Sequence, residues 1–297
     1  VMPTLRYEIV DVFTDEPFGG NPLAVVLDAE ELSTEQMQLL AREFNLSETA
    51  FPLRLGPADG PGADYRIRIF SPTVELPFAG HPSVGTAWLM AALGRIEPGQ
   101  VVQRCAAGDM PLRIDPGEAE GIGPGLVTLT GGTPRVSGPL DAAAYAAAVG
   151  VAVDGLAGTV RAAGAGIDWA YVPLPDEAAV AASLGDDAAL LRLEHGEAYA
   201  FSWDAATSTA YARGWAGGVG IHEDPATGSA ALGLGAYLVA EGLLPGEGTS
   251  AYTVRQGVDM GRPSTLACTV AAEAGAAVQV TVAGTAAPMA RGEILVP

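Results

Sequence analysis

Two stretches of this chain carry the same residue types at the same spacing, Glu75-x-Pro77-x-x-Gly80-x4-Gly85 and Glu223-x-Pro225-x-x-Gly228-x4-Gly233, half the chain apart. Each leads into a strongly apolar segment, HPSVGTAWLMAAL (81 to 93) and GSAALGLGAYLVAEG (228 to 242), long enough to be a helix. Small residues at the two helix starts, AGHPS (79 to 83) and TGSAA (227 to 231), leave backbone N–H groups unpaired and expose the positive end of the helix dipole. Such an end binds an anion without a cationic side chain. Two of them facing one cleft hold a carboxylate, or the negative charge that develops on an enolate-like atom. The matched spacing predicts a duplicated unit with a pseudo-twofold axis.

Few titratable residues lie near these loops. His81, one of three histidines, falls in the first turn of the first helix, where the dipole favours a neutral, hydrogen-bonding imidazole. Asp224 directly precedes Pro225 and the second helix, and reads either as a ligand for substrate or as a turn or capping residue. Its counterpart is Leu76, which makes the two copies chemically unequal. Glu48 follows Asn-Leu-Ser and precedes Thr-Ala-Phe; facing a poorly solvated cleft it would be an acid/base, and at a solvated strand end it would not. Spacing alone leaves both readings open.

Other chemistries lack their residues. His195 and His222 have no metal-ligand spacing with His81, and no HExxH or paired-carboxylate motif occurs, so no metal and no cofactor is expected. No GxGxxG follows a strand and no GxxxxGK[ST] exists, which makes GGVG (217 to 220) a loop rather than a nucleotide cradle. No serine lies in a GxSxG elbow, and Cys105 and Cys268 are far in sequence from the helix starts. Two cysteines are too few for a disulfide framework, and both sit in apolar, strand-like runs that suit small buried hydrophobes.

A formal charge of −20, from 35 acidic against 15 basic residues, repels phosphate backbones and anionic lipids and argues against nucleic-acid and membrane roles. It also requires any site for an acidic metabolite to be built locally, as helix starts allow. The opening VMPTLRYEIVDVF has no basic segment followed by a long apolar one, and no window reaches about 18 uninterrupted apolar residues. The expectation is a cytoplasmic enzyme.

Strands are expected at 5–13, 22–28, 48–55, 64–71, 101–106, 110–115 and 126–130, with helices at 34–44, after a Ser33 or Thr34 cap, and at 81–93. The second half opens on an Ala-rich helix near 140–149. Strands follow at DWAYVPL, EAYAFSW and STAYAR, then a Gly-rich loop, the helix at 228–242, and a tail of strands. Each half is thus mostly strand around one apolar helix.

At GNPLAVV (20 to 26), NLSETAF (45 to 51), ELPFAGHPSVGTA (75 to 87), EDPATGSAA (223 to 231) and QGVDMGRPS (256 to 264) the chain resembles the phenazine-biosynthesis (PhzF-like) isomerases, which have the diaminopimelate-epimerase fold. The resemblance implies an α+β fold of two pseudo-symmetric domains, each a curved, mostly antiparallel sheet wrapped around a central helix, with the active site in the cleft between them. The halves would be residues 1–130, which the C-terminal strand 285–297 can cross back to complete, and 131–284. It further implies that Glu48 moves the proton, that His81, Asp224 and Ser229 bind substrate, and that Gly80 and Gly228 supply close backbone approach.

Related two-base racemases of this fold carry a cysteine in each helix-start loop, where this chain has Ala79 and Thr227. Two-thiol inversion is therefore impossible, and a single carboxylate returning the proton on the same face fits instead. The resulting expectation is a cofactor-independent isomerase of a small cyclic or amino-acid-like carboxylate. The alternatives are an amino-acid racemase or epimerase, and a non-catalytic binding protein that kept the fold. Gln256 and Arg262 are candidates for shaping the cleft, with Arg262 equally suited to a local surface ion pair. A homodimer is common in the family, but no stripe in this sequence marks an interface.

Overall fold

Short runs rich in Val, Ile, Ala and aromatic residues pair with sequence neighbours, and the chain folds as a succession of hairpins and crossovers. The computed structural model describes residues 3–56, 59–117 and 123–297, which divide into two compact units, Val1–Leu129 with Ala283–Pro297, and Thr130–Val282.

In the first unit the elements are β1 (Thr4–Val12), β2 (Asn21–Val26), α1 (Thr34–Phe44), β3 (Glu48–Leu53), β4 (Tyr65–Phe70), β5 (Glu75–Leu76), α2 (Gly80–Ala92), β6 (Gly99–Cys105), β7 (Gly108–Ile114) and β8 (Val127–Thr130). The second contains β9 (Arg135–Pro139), α3 (Ala142–Ala148), β10 (Arg161–Gly164), β11 (Asp168–Pro173), α4 (Glu177–Ala182), α5 (Asp187–Leu190), β12 (Ala198–Asp204) and β13 (Thr209–Ala216). It continues with β14 (Ile221–Asp224), α6 (Gly228–Ala240), β15 (Gly248–Gln256), β16 (Ser264–Glu273) and β17 (Ala276–Gly284). The chain then returns to the first unit as β18 (Ala286–Leu295), antiparallel to β1 from Thr4↔Leu295 to Val12↔Ala286.

The pairing scheme is the same in both units. β2–β3 is parallel, β3–β4 and β4–β5 antiparallel, β4–β6 parallel and β6–β7 antiparallel. This recurs, in the same order, as β11–β12, β12–β13, β13–β14, β13–β15 and β15–β16. At the other edge, β18–β1–β2 is matched by β9–β10–β11, all antiparallel. Fold duplication, expected from four residue matches, thus extends to whole elements.

Both central helices are buried along nearly their whole length, α2 from Gly80 to Met90 and α6 from Gly228 to Val239, as an all-round apolar sequence requires. The second glycine of each repeat lets its helix sit close to the sheet. A Cβ on Gly85 would lie 2.5 Å from Val12 Cγ2 and 2.9 Å from Leu23 Cδ2, and one on Gly233 would strike the Tyr171 hydroxyl and Ala163 O.

The repeat's glutamates also have structural partners. Arg68 grips Glu75 through two bonds of 2.7 Å and lies over the Phe70 ring at 5.1 Å. Arg213 grips Glu223 at 2.8 and 2.7 Å and lies over Trp215 at 4.5 Å. An Arg-x-aromatic strand bound to a glutamate on the next strand is therefore a second, unforeseen part of the duplication.

α1 has Ser33 as its cap, in a reciprocal box with Gln36. Its apolar face packs Met37, Leu40 and Ala41 with Phe51 and Phe70. Strands β5, β9, β10 and β14 were not expected: stretches of two to five residues are too short to show a period. The expected loop after β13 is a 3₁₀ turn, Gly217–Val219, that feeds directly into β14. Both cysteines are buried and unpaired by disulfide, and burial pushes both thiols up, as in inert core residues. Among the described residues no helix is long and apolar enough to cross a membrane, and no group of three His, Cys, Asp or Glu side chains could hold a metal ion.

Candidate active site

Glu48 is the first residue of β3, paired in parallel register with Leu23 of β2, and Asn21 opens β2 itself. His81 stands in the first turn of α2. These three meet: His81 Nδ1 lies 3.4 Å from Glu48 Oε2 and 3.2 Å from Asn21 Nδ2. All are buried, with Glu48 8% exposed, His81 4% and Asn21 0%.

Gly20, just before Asn21, has φ +60°, and a Cβ there would collide with Val12 O and lie 2.7 Å from Thr14 Cγ2. Only glycine takes that turn without strain, which accounts for the Gly-Asn pair at the head of β2.

Burial pushes the His81 pKa down from 6.5 to about 3. The neutral imidazole expected from the helix dipole is present, and desolvation is the cause that dominates. His81 Nε2 is buried and has no protein hydrogen-bond partner among the described residues. The helix start beside it has Ala79 as N-cap, with no side chain capping it and no acidic residue in the first turn. Ser83 donates its hydroxyl to Ala79 O at 2.8 Å and accepts from Gln103 Nε2 at 2.8 Å, while Tyr65 donates to Gln103 Oε1. Pro82 has no N–H to contribute, so this end of the helix offers a narrower set of donors than its counterpart.

In the second unit Asp224 ends β14, 7% exposed, and Thr227 is the N-cap of α6, again without a side-chain cap bond. The Thr227 hydroxyl donates instead to Asp224 Oδ2 at 2.6 Å. Gln256, at the end of β15 and fully buried, fixes the loop between them. Its Nε2 donates to Asp224 O at 2.6 Å and Thr227 Oγ1 at 2.9 Å, and its Oε1 accepts from Thr227 N at 3.0 Å and Tyr199 OH at 2.8 Å. All four of its hydrogen-bonding positions are used, so Gln256 supports the site and has nothing left for a ligand.

Ser229, in the first turn of α6 and 8% exposed, accepts from Trp169 Nε1 at 3.1 Å. An indole nitrogen only donates, so the serine oxygen accepts there and its own proton stays available to another acceptor.

Each predicted site residue therefore stands at a helix start or at a neighbouring strand end. Gly80 and Gly228 are the first residues of α2 and α6, Glu48 and His81 touch in the first unit, and Asp224 and Ser229 flank Thr227 in the second. Sequence reasoning missed Asn21, although GNPLAVV drew attention to its segment, and missed Trp169, for which no sequence signal exists.

The phenazine biosynthesis-like protein family model (PhzC-PhzF) matches residues 10–292. A Mesorhizobium japonicum protein named only as an uncharacterized isomerase is 34% identical over 99% of this chain and all of its own length. The trans-2,3-dihydro-3-hydroxyanthranilate isomerase of Pseudomonas aeruginosa is 33% identical over 97% of this chain and 98% of its own. The crystal structure of a PhzF-family phenazine biosynthesis protein from Bacillus anthracis, 23% identical, superposes with a TM-score of 0.87 over 99% of this chain and all of that one. Its likeness confirms the fold: α+β, with two pseudo-symmetric halves each built on a central helix. With near-complete coverage in sequence and in structure, the chain belongs to the phenazine biosynthesis-like family and is an isomerase.

Proposed function

We propose that the chain moves a proton between two carbons of a small cyclic or amino-acid-like carboxylate, without a cofactor, using Glu48 as its general acid/base. The observation that carries this reading is Glu48 itself, a buried carboxyl 3.4 Å from an imidazole that is uncharged at neutral pH. A neutral neighbour leaves proton exchange to the carboxyl. Ala79 has no ionisable group and the Thr227 hydroxyl is engaged by Asp224, so neither N-cap position supplies a second base. One carboxyl that both takes and returns the proton performs a same-face shift, not an inversion.

In this reading His81, the Ser229 hydroxyl and backbone N–H groups at Gly80 and Gly228 hold the substrate carboxylate, and Asp224 accepts from an amine or hydroxyl. A carboxylate held by N–H and O–H donors needs no cation, which suits a chain of net charge −20.

Trans-2,3-dihydro-3-hydroxyanthranilate, the compound in the name of the P. aeruginosa relative, is the first substrate to assay; other small acids are screened by the rise in melting temperature that a ligand of the folded state produces. With an active substrate, Glu48→Gln lowers kcat by roughly 100-fold or more and stops deuterium uptake from heavy water. A folded Glu48→Gln chain with unchanged turnover removes Glu48 from the chemistry.

A further inference from the structure

His81 is neutral, so its ring carries one N–H, and the nitrogen that holds it decides what the residue can do. Nδ1 has two polar neighbours, the Asn21 amide nitrogen at 3.2 Å and Glu48 Oε2 at 3.4 Å. Among the described residues Nε2 has no protein hydrogen-bond partner although it is buried. An amide nitrogen only donates, so a bond from Asn21 Nδ2 requires a lone pair on His81 Nδ1 and places the ring proton on Nε2. We propose that Asn21 is a positioning residue that keeps His81 in its Nε2–H form, presenting an acceptor to Glu48 and a donor to the substrate.

This arrangement rests on the reading of Glu48 as the acid/base, and it makes that role coherent. An ionised Glu48 that has removed a proton from substrate becomes a hydroxyl donor, and at 3.4 Å it shares with Asn21 Nδ2 the single lone pair of His81 Nδ1. No proton moves onto the imidazole in the process. The opposite form, with N–H on Nδ1, would bond to ionised Glu48 and leave Nε2 as an acceptor, unsuited to a carboxylate or an enolate oxygen. The side chain that sets the choice is the fully buried Asn21, held at the start of β2 by the left-handed turn at Gly20.

The test is the ¹⁵N spectrum of the histidine-labelled chain at neutral pH without ligand. With only three histidines, a His81→Gln spectrum assigns the resonances. The expected result is His81 with its proton on Nε2. In Asn21→Asp, whose side chain has only acceptors, the proton moves to Nδ1, and kcat on an identified substrate falls more than KM rises. A wild-type His81 protonated on Nδ1, or an Asn21→Asp tautomer unchanged from wild type, overturns the proposal. If Asn21→Asp does not fold, the wild-type spectrum alone still decides. The spectrum requires no turnover, so a Glu48→Gln chain that remains active would defeat the proposed chemistry while leaving the tautomer assignment to be judged on its own.

Discussion

Thr227 gives its hydroxyl proton to Asp224 Oδ2 across 2.6 Å, and Thr227 Oγ1 in turn accepts from Gln256 Nε2 at 2.9 Å. The Thr227 side chain thereby orients a carboxylate. Thr227→Val keeps the shape and deletes both bonds, leaving a buried amide N–H without its acceptor. The expected cost is about 1–3 kcal/mol in urea denaturation. With a substrate in hand, KM should rise more than kcat falls, because Asp224 loses the partner that aims it. Stability within error of wild type would show that the relay does not matter.

The two Arg–Glu pairs of the duplication should differ in strength. The Arg213 and Glu223 side chains are 10% and 11% exposed, against 23% and 33% for Arg68 and Glu75. Removing one partner of the more buried pair leaves an uncompensated charge, so Glu223→Gln should cost about 3–5 kcal/mol. Glu75→Gln, with water within reach, should cost about 1 kcal/mol or less. Equal losses by chemical denaturation would mean that burial does not set the difference.

Acid should weaken the fold through His81. Its folded pKa, about 3, lies below its ordinary value of 6.5, so between these limits the unfolded chain binds a proton that the folded chain refuses. Stability therefore rises with pH across that window and falls as the solution is acidified below about 6.5, by roughly 1.4 kcal/mol per pH unit from this group alone. Urea melts of wild type and His81→Gln from pH 4 to 7 isolate the effect: the wild type should show the steeper loss. Parallel curves would mean that His81 takes up a proton in the folded state.

Gly85→Ala and Gly233→Ala should both destabilise, although alanine is the better helix former. The added methyl meets Val12 and Leu23 in one case and Tyr171 with Ala163 in the other. Overpacking of this kind costs about 1–3 kcal/mol, which outweighs the propensity gain of about 1 kcal/mol. A gain in melting temperature for either variant would show that the helix can lift from its sheet without penalty.

Much of this architecture could be read from the sequence because its longest elements are strongly patterned. α1 carries its own cap and amphipathic face, and α2 and α6 announce themselves as continuous apolar runs. The short strands could not be read, since Glu75-Leu76 and Ile221–Asp224 are strands only by virtue of the partners β4 and β13 bring to them. The same holds for the site. Glu48, His81, Asp224 and Ser229 are candidates through their motifs, but the contact between His81 and Asn21 joins residues 60 positions apart, and Trp169 reaches Ser229 over the same separation. The ion pairs of Glu75 and Glu223 needed the structure for a different reason: the repeat shows the glutamates at matched places, but their arginines, Arg68 and Arg213, lie outside it.

The pairing of β1 with β18 has a consequence for how the molecule is made. Residues 130–282 are one uninterrupted piece of chain, whereas the other unit lacks its last strand until residues 286–295 have left the ribosome. Residues 130–282 can reach their native state during synthesis while the other unit waits, with β1 open along one side, for β18. Until then the N-terminal portion presents an unpaired strand edge, and it is there that chaperones or aggregation would act on this protein.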